Sequence, residues 1–157
     1  MKLADFVCFE AIVPQLNATN RDDVIVELVS ALQKAGRLRG SKSKEITKAI
    51  IKRENEASTG MGKGIAVPHV KHPAVKELIA TVGKSSTGID FSSLDKQPVY
   101  SIILIISPAD NPDTHIQAME NIFGHLQNEK FRSFLRQAQK AEQIEDLLRE
   151  ADENSEL

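Results

Sequence analysis

Cysteine, tryptophan and any surplus of positive charge are what this sequence lacks. Cys8 is the only cysteine among 157 residues, which excludes an internal disulfide and a multi-thiolate zinc site and fits a reducing compartment. With no Trp, one Tyr and six Phe, the core has to be built from aliphatic side chains. A formal net charge of -2 provides no basic excess to neutralise a run of phosphates, so a nucleic-acid partner is not expected. Long apolar runs are missing too. The longest, Val99–Ile106, has the length of a strand and falls well short of the ~18 residues of a membrane span. The stretch from Met1 to Phe9 carries Asp5 and no extended apolar centre, unlike a signal peptide. A cytoplasmic protein that is not membrane-embedded is therefore expected.

What is present suits one compact domain. The apolar share of 41% and charged share of 27% are ordinary for a globular chain, and the length allows a core that needs no staple. No repeat or low-complexity linker divides it, so residues 1–157 read as a single domain with a core over about 10–150 and an acidic tail, 151–157, expected to fray. Phe9–Val13 reads as a short strand. Asn20 caps a helix with Asp22 and Asp23 in its first turn and Val24, Ile25, Leu28, Val29 and Leu32 on its apolar face, ending at Gly36. A second helix runs from about Ser43 to Glu56. A glycine-rich turn, Ser58–Gly64, leads into a strand at Ile65–His69. Leu78–Lys84 reads as another strand, and Val99–Ile106 as a central strand buried on both faces. Asn111-Pro112 opens a third helix. Phe131, Phe134, Leu135 and Ala138 mark a fourth, and Ala141, Ile144, Leu147 and Leu148 a fifth. The expected fold is α/β: a mixed central β-sheet flanked by helices on both faces.

Three residues carry candidate chemistry. His69 follows Pro68, which fixes its own φ and pushes Val67 to extended geometry, so the backbone entering the imidazole is stiff. A neutral imidazole, with an ordinary pKa of ~6.5, is a nucleophile that can hold phosphorus through a labile P–N bond. Phosphoryl transfer asks mainly for positioning and charge stabilisation. Arg53 offers a planar, permanent cation for phosphate oxygens. His115, in the first turn of the third helix, offers a further donor near free backbone amides. On spacing alone, His69 would more often be a surface or satisfied core residue, Arg53 a solvated helix-face residue, and His115 a helix-end residue with no specific partner.

The segment Ser58-Thr59-Gly60-Met61-Gly62-Lys63-Gly64-Ile65-Ala66-Val67-Pro68-His69 changes that weighing. It resembles the active-site signature of the fructose/mannitol and nitrogen-regulatory type of enzyme IIA (the EIIA type-2 domain) of the bacterial phosphoenolpyruvate-dependent phosphotransferase system. The family's upstream Arg-Glu pair corresponds to Arg53-Glu54. Gly88-Ile89-Asp90-Phe91 with Leu94–Val99, and then His115-Ile116-Gln117, are similar to its later segments. The likeness spans roughly residues 10 to 150.

The resemblance implies a phosphotransferase component that works through a phosphohistidine and needs no cofactor or metal. His69 would be the phosphoryl acceptor, through Nε2, His115 the second active-site histidine, and Arg53 a phosphoryl-stabilising group. The histidine phosphocarrier protein would be the donor, and an enzyme IIB/permease component or a regulatory target protein the acceptor. Two segments depart from the family pattern, Val70-Lys71-His72-Pro73 and the proline-rich loop Ser107–Thr114; both lie beside the site and bear on partner identity. With no permease stretch or second carrier domain in the sequence, a freely diffusing or regulatory carrier is expected, a separate transporter subunit remaining open.

Competing readings are weaker. A zinc site from His69, His72, His115 and Cys8 lacks paired ligand groups and meets Pro73 at once. Gly64 stands where a phosphate-binding loop needs Ser or Thr after Gly62-Lys63, and a dinucleotide turn would open a helix, not a strand. The rival of another class is a regulatory binding module whose His69 phosphorylation state selects partners without productive onward transfer, since added phosphate charge remodels a docking surface. Donor docking is expected on a small apolar surface around His69, with Ile65, Val67 and Val70 as candidates, the first two reading more naturally as core strand residues.

Overall fold

The computed structural model describes residues 1–154. Five helices and a five-stranded mixed sheet account for most of them. The helices are α1 (Arg21–Lys34), α2 (Gly40–Glu56), α3 (Pro112–Leu126), α4 (Glu129–Gln137) and α5 (Ala141–Asn154). The strands are β1 (Gly60–Gly62), β2 (Ile65–Ala66), β3 (His69–His72), β4 (Ile79–Ile89) and β5 (Val99–Pro108).

The apolar run forms the centre, as its composition demands. β5 takes β4 antiparallel on one side and β2 and β3 in parallel on the other, with β1 antiparallel outside β2. Successive side chains of β5 alternate between faces. Ile103 and Ile105 enter a core with Ala118, Ile122 and Leu126 of α3 and the apolar residues of α4 and α5. Ile102, Leu104 and Ile106 enter a second core with Val24, Ile25, Leu28 and Val29 of α1 and Ile46 and Ile50 of α2. The sheet is thus covered by helices on both faces. Each wholly buried Ile or Leu contributes on the order of 1.5–3 kcal/mol.

Caps follow the sequence closely. Asn20 accepts from Asp23 N, Asn111 from Thr114 N, and Asn128 from Lys130 N and Phe131 N. α2 begins at Gly40, three residues ahead of expectation, with Arg39 at a cap position that makes no side-chain hydrogen bond.

Three expectations are corrected. Phe9–Val13 is not a strand: Phe9–Ala11 is a 3₁₀ turn, and only Val13 makes an isolated bridge, to Gly83. The fragment is too short to pair along its length, and it closes on its own carbonyls, Ala11 N to Cys8 O and Ile12 N to Phe9 O. The strand at Ile65–His69 is interrupted, because Pro68 has no N–H for the ladder. Its carbonyl still accepts from Ile105 N, and the register on β5 is the same before and after the break. The acidic tail does not fray from 151. α5 continues to Asn154, and buried Asp152 accepts from the Leu3 and Ala4 amides, fastening the last helix to the first turn of the chain. Residues 155–157 of that expected tail lie outside the described residues.

Candidate phosphoryl-transfer site

The site is assembled where β3, α3 and the end of α2 meet. β1 and β2 form a hairpin whose two connecting residues, Lys63 and Gly64, both have positive φ (59° and 77°), the geometry that matches strand twist in a tight hairpin. Gly60 packs where a Cβ would lie 2.4 Å from Ser93 Oγ, so this position requires glycine. The turn is tied to α2 by Glu54, which is buried and accepts from Thr59 N (2.9 Å) and Thr59 Oγ1 (2.5 Å). The Ser58 hydroxyl donates to the Phe91 carbonyl and accepts from Gly60 N. The hairpin therefore delivers the chain to Pro68 in one fixed path.

His69 is half-buried at the start of β3, opposite Ile105. Its Nδ1 lies 2.7 Å from the Val67 carbonyl. A carbonyl only accepts, so Nδ1 carries the proton and Nε2 of the neutral ring is a bare lone pair. Burial lowers the His69 pKa below the ordinary imidazole value. The Val67 carbonyl and Glu54 pull the other way, while Arg53 and Lys71 reinforce the lowering. The ring is thus held in its nucleophilic form near neutral pH.

His115 stands beside it, with ring centroids 5.5 Å apart and planes inclined at 42°. Its Nδ1 is 2.5 Å from Ser107 Oγ. Burial, then the neighbouring His69 and Lys71, push its pKa down to about 4. The start of α3 offers fewer free amides than expected, since Pro112 has none and Asn111 occupies that of Thr114. Arg53, in the last turn of α2, donates to the Ala57 carbonyl at 2.8 Å. Its remaining donors are unused among the described residues, and its charge reaches His69.

The structure thus gathers His69, His115 and Arg53 into one locality, while the other weighed ligands go elsewhere. His72 is buried toward α2, its Nδ1 accepting from Ala74 N and its Nε2 3.7 Å from Glu45. Cys8 is buried, its thiol directed at Glu10 and its pKa raised by burial and that contact. Among the described residues no three His, Cys, Asp or Glu side chains could hold a metal ion.

Ile65 and Val67, candidates for an apolar docking surface, are core residues with 2% and 1% exposure, and Val70 is half-buried against the second core. Exposed Lys71 lies next along the strand. Sequence reasoning assigned no role to Glu54 or Ser107. The Arg-Glu pairing carried a signal for Glu54; Ser107 had only its place as a polar residue ending the central apolar strand.

Comparison with known proteins places the chain in a family. Residues 6–151 match the family described as phosphoenolpyruvate-dependent sugar phosphotransferase system, EIIA 2, and the chain belongs to that family. It is 32% identical over 152 residues to the fructose-specific EIIABC component of Bacillus subtilis, covering 97% of this chain but 24% of that protein. It is 29% identical over 148 residues to the nitrogen regulatory protein of Bradyrhizobium diazoefficiens, covering 94% of this chain and 95% of the relative. The nitrogen regulatory protein IIA-Ntr from Neisseria meningitidis has the same fold, with a TM-score of 0.83 at 22% identity over 93% of this chain and 98% of that one. So does IIAMtl of Escherichia coli in a complex with phosphorylated IIBMtl, with a TM-score of 0.75 at 21% identity over 90% and 95%. No helix among the described residues is long and apolar enough to cross a membrane.

Proposed function

We propose that this EIIA-type domain relays a phosphoryl group through His69, taking it from a phosphohistidine on the histidine phosphocarrier protein and passing it to a second protein. The observation that carries this reading is the His69 Nδ1 to Val67 carbonyl bond, which leaves Nε2 as the free lone pair beside His115. In the accepting step Nε2 attacks phosphorus in line. The new P–Nε2 bond forms as the donor's P–N bond breaks, and the donor imidazole leaves with that electron pair. Bonds of one kind are exchanged, so the step is close to balanced and reversible. Arg53 and His115 offset the charge on the phosphoryl oxygens, the first as a fork, the second through an N–H. Delivery onward repeats the exchange with an acceptor, an enzyme IIB/permease component or a regulatory target, in the cytoplasm. The resemblance of this chain to both a fructose-specific component and nitrogen regulatory proteins supports a second use of the same chemistry, in which the phosphorylation state of His69 selects a regulatory partner.

The test is incubation with phosphoenolpyruvate, enzyme I and the histidine phosphocarrier protein, followed by mapping of the acid-labile modification. Label on His69 Nε2 is expected; label elsewhere, or none, defeats the proposal. Adding permease membranes separates the two uses, because a transport carrier then supports sugar phosphorylation and a purely regulatory module does not.

A further inference from the structure

The hydroxyl of Ser107 has one partner among the described residues, His115 Nδ1 at 2.5 Å. Ser107 is fully buried near the end of β5, so its hydroxyl hydrogen is out of reach of bulk solvent. The donor direction of this bond therefore follows from elimination. If the imidazole donated from Nδ1, the serine hydrogen would be left inside the protein without an acceptor, at the cost of an unsatisfied buried donor. If the serine donates, its hydrogen is satisfied and only lone pairs stay idle, the lesser penalty. A ring that accepts at Nδ1 must be neutral, and its single proton is then on Nε2.

We propose that Ser107 is a positioning residue that locks His115 in the Nε2–H tautomer, so that the second histidine is a hydrogen-bond donor toward the phosphoryl group. The two imidazoles are then held in opposite forms by two different atoms of the sheet. The Val67 carbonyl keeps the His69 proton on Nδ1 and leaves a lone pair at Nε2. The Ser107 hydroxyl does the reverse for His115. Identical tautomers would give either two lone pairs facing an anion or no nucleophile at all. Burial and the positive charge of Lys71 keep the His115 ring neutral, and exposed Lys71 lies opposite Ser107 across the β3–β5 ladder, so strand pairing holds the three groups in a common frame.

This inference rests on the relay reading for its consequence but not for its structural content, and the two are separable. The direct readout is the ring-nitrogen spectrum of His115 in 15N-labelled protein at pH 7, observed through the ring hydrogens. The wild type is expected to show protonated Nε2 and unprotonated Nδ1. In Ser107→Ala the two tautomers are expected to interchange, with averaged shifts, while His69 keeps its Nδ1–H form. Ser107→Cys, whose thiol is a weaker donor of similar shape, should fall between. In the relay assay Ser107→Ala should still become labelled on His69 but pass the group on roughly three- to tenfold more slowly, the scale of one hydrogen bond, with partial recovery in Ser107→Cys. A wild-type His115 protonated on Nδ1, or a tautomer unchanged in Ser107→Ala, overturns the proposal. A changed tautomer with unchanged transfer overturns its functional half. Failure of the wild type to accept label would defeat the relay and leave the spectrum to decide the tautomer.

Discussion

Two histidines three residues apart on β3 are given opposite fates. His69 presents its Nδ1 to a carbonyl, Val67 O, so it keeps the proton there and offers a bare Nε2. His72 presents its Nδ1 to an amide, Ala74 N, so it accepts there and directs its Nε2–H toward Glu45. One faces the His115 side and the other is buried against α2. The residue type is the same; what differs is whether the nearest backbone atom gives or takes a proton. The lesson is that a histidine's chemistry in a strand is set by the strand's parity and by one neighbouring backbone group.

The largest expected effect divides the two. His69→Ala should abolish phosphorylation by the phosphoenolpyruvate-driven chain, whereas His72→Asn should retain it within about twofold while losing roughly 1 kcal/mol of stability from the lost contacts. Label in the first variant, or its absence in a folded second variant, would break the comparison. Next in size, His115→Ala should still accept the group on His69 but hand it on about a hundredfold more slowly, as expected for removing one preorganised donor; single-turnover transfer rates decide this. Arg53→Lys should slow transfer by roughly tenfold, because a point charge does not reproduce a fork, and wild-type kinetics would reduce Arg53 to a helix-end residue that caps the Ala57 carbonyl.

The smallest effect is on pH. His115 titrates at about 4 in the folded state, against ~6.5 when unfolded. Between those values the unfolded chain binds more protons, so stability should fall as pH drops from about 6.5 toward 4. Urea unfolding over that range should show part of the slope gone in His115→Gln, and an identical slope would contradict the lowered value.

Much of this was legible in the chain. The apolar run Val99–Ile106 dictated a strand covered on both faces, and the Asn caps with Pro112 fixed the helix starts, because these signals are local. Pro-His after the glycine turn marked the ring that the structure sets beside His115. Less legible were features fixed by distant partners. Asp152 looked like part of a frayed tail until the Leu3 and Ala4 amides were placed against it. Phe9–Val13 had strand residues but no neighbour to pair with along its length. Ile65 and Val67 sit beside His69 in sequence and pack into the core that Ile103 and Ile105 of β5 enter. Ser107 was assigned no role because a serine acquires direction only when the ring it bonds, eight residues on, is folded back beside it.

The interruption at Pro68 has one more result. Val67 N is taken by the Thr59 carbonyl on the β1 side of the sheet, while the Thr59 amide is taken by Glu54 and does not donate to the Val67 carbonyl. That oxygen would otherwise be a backbone acceptor without a partner. The imidazole two residues later occupies it instead. The bond that orients the His69 ring therefore also satisfies a backbone acceptor that the break at Pro68 leaves without a strand partner.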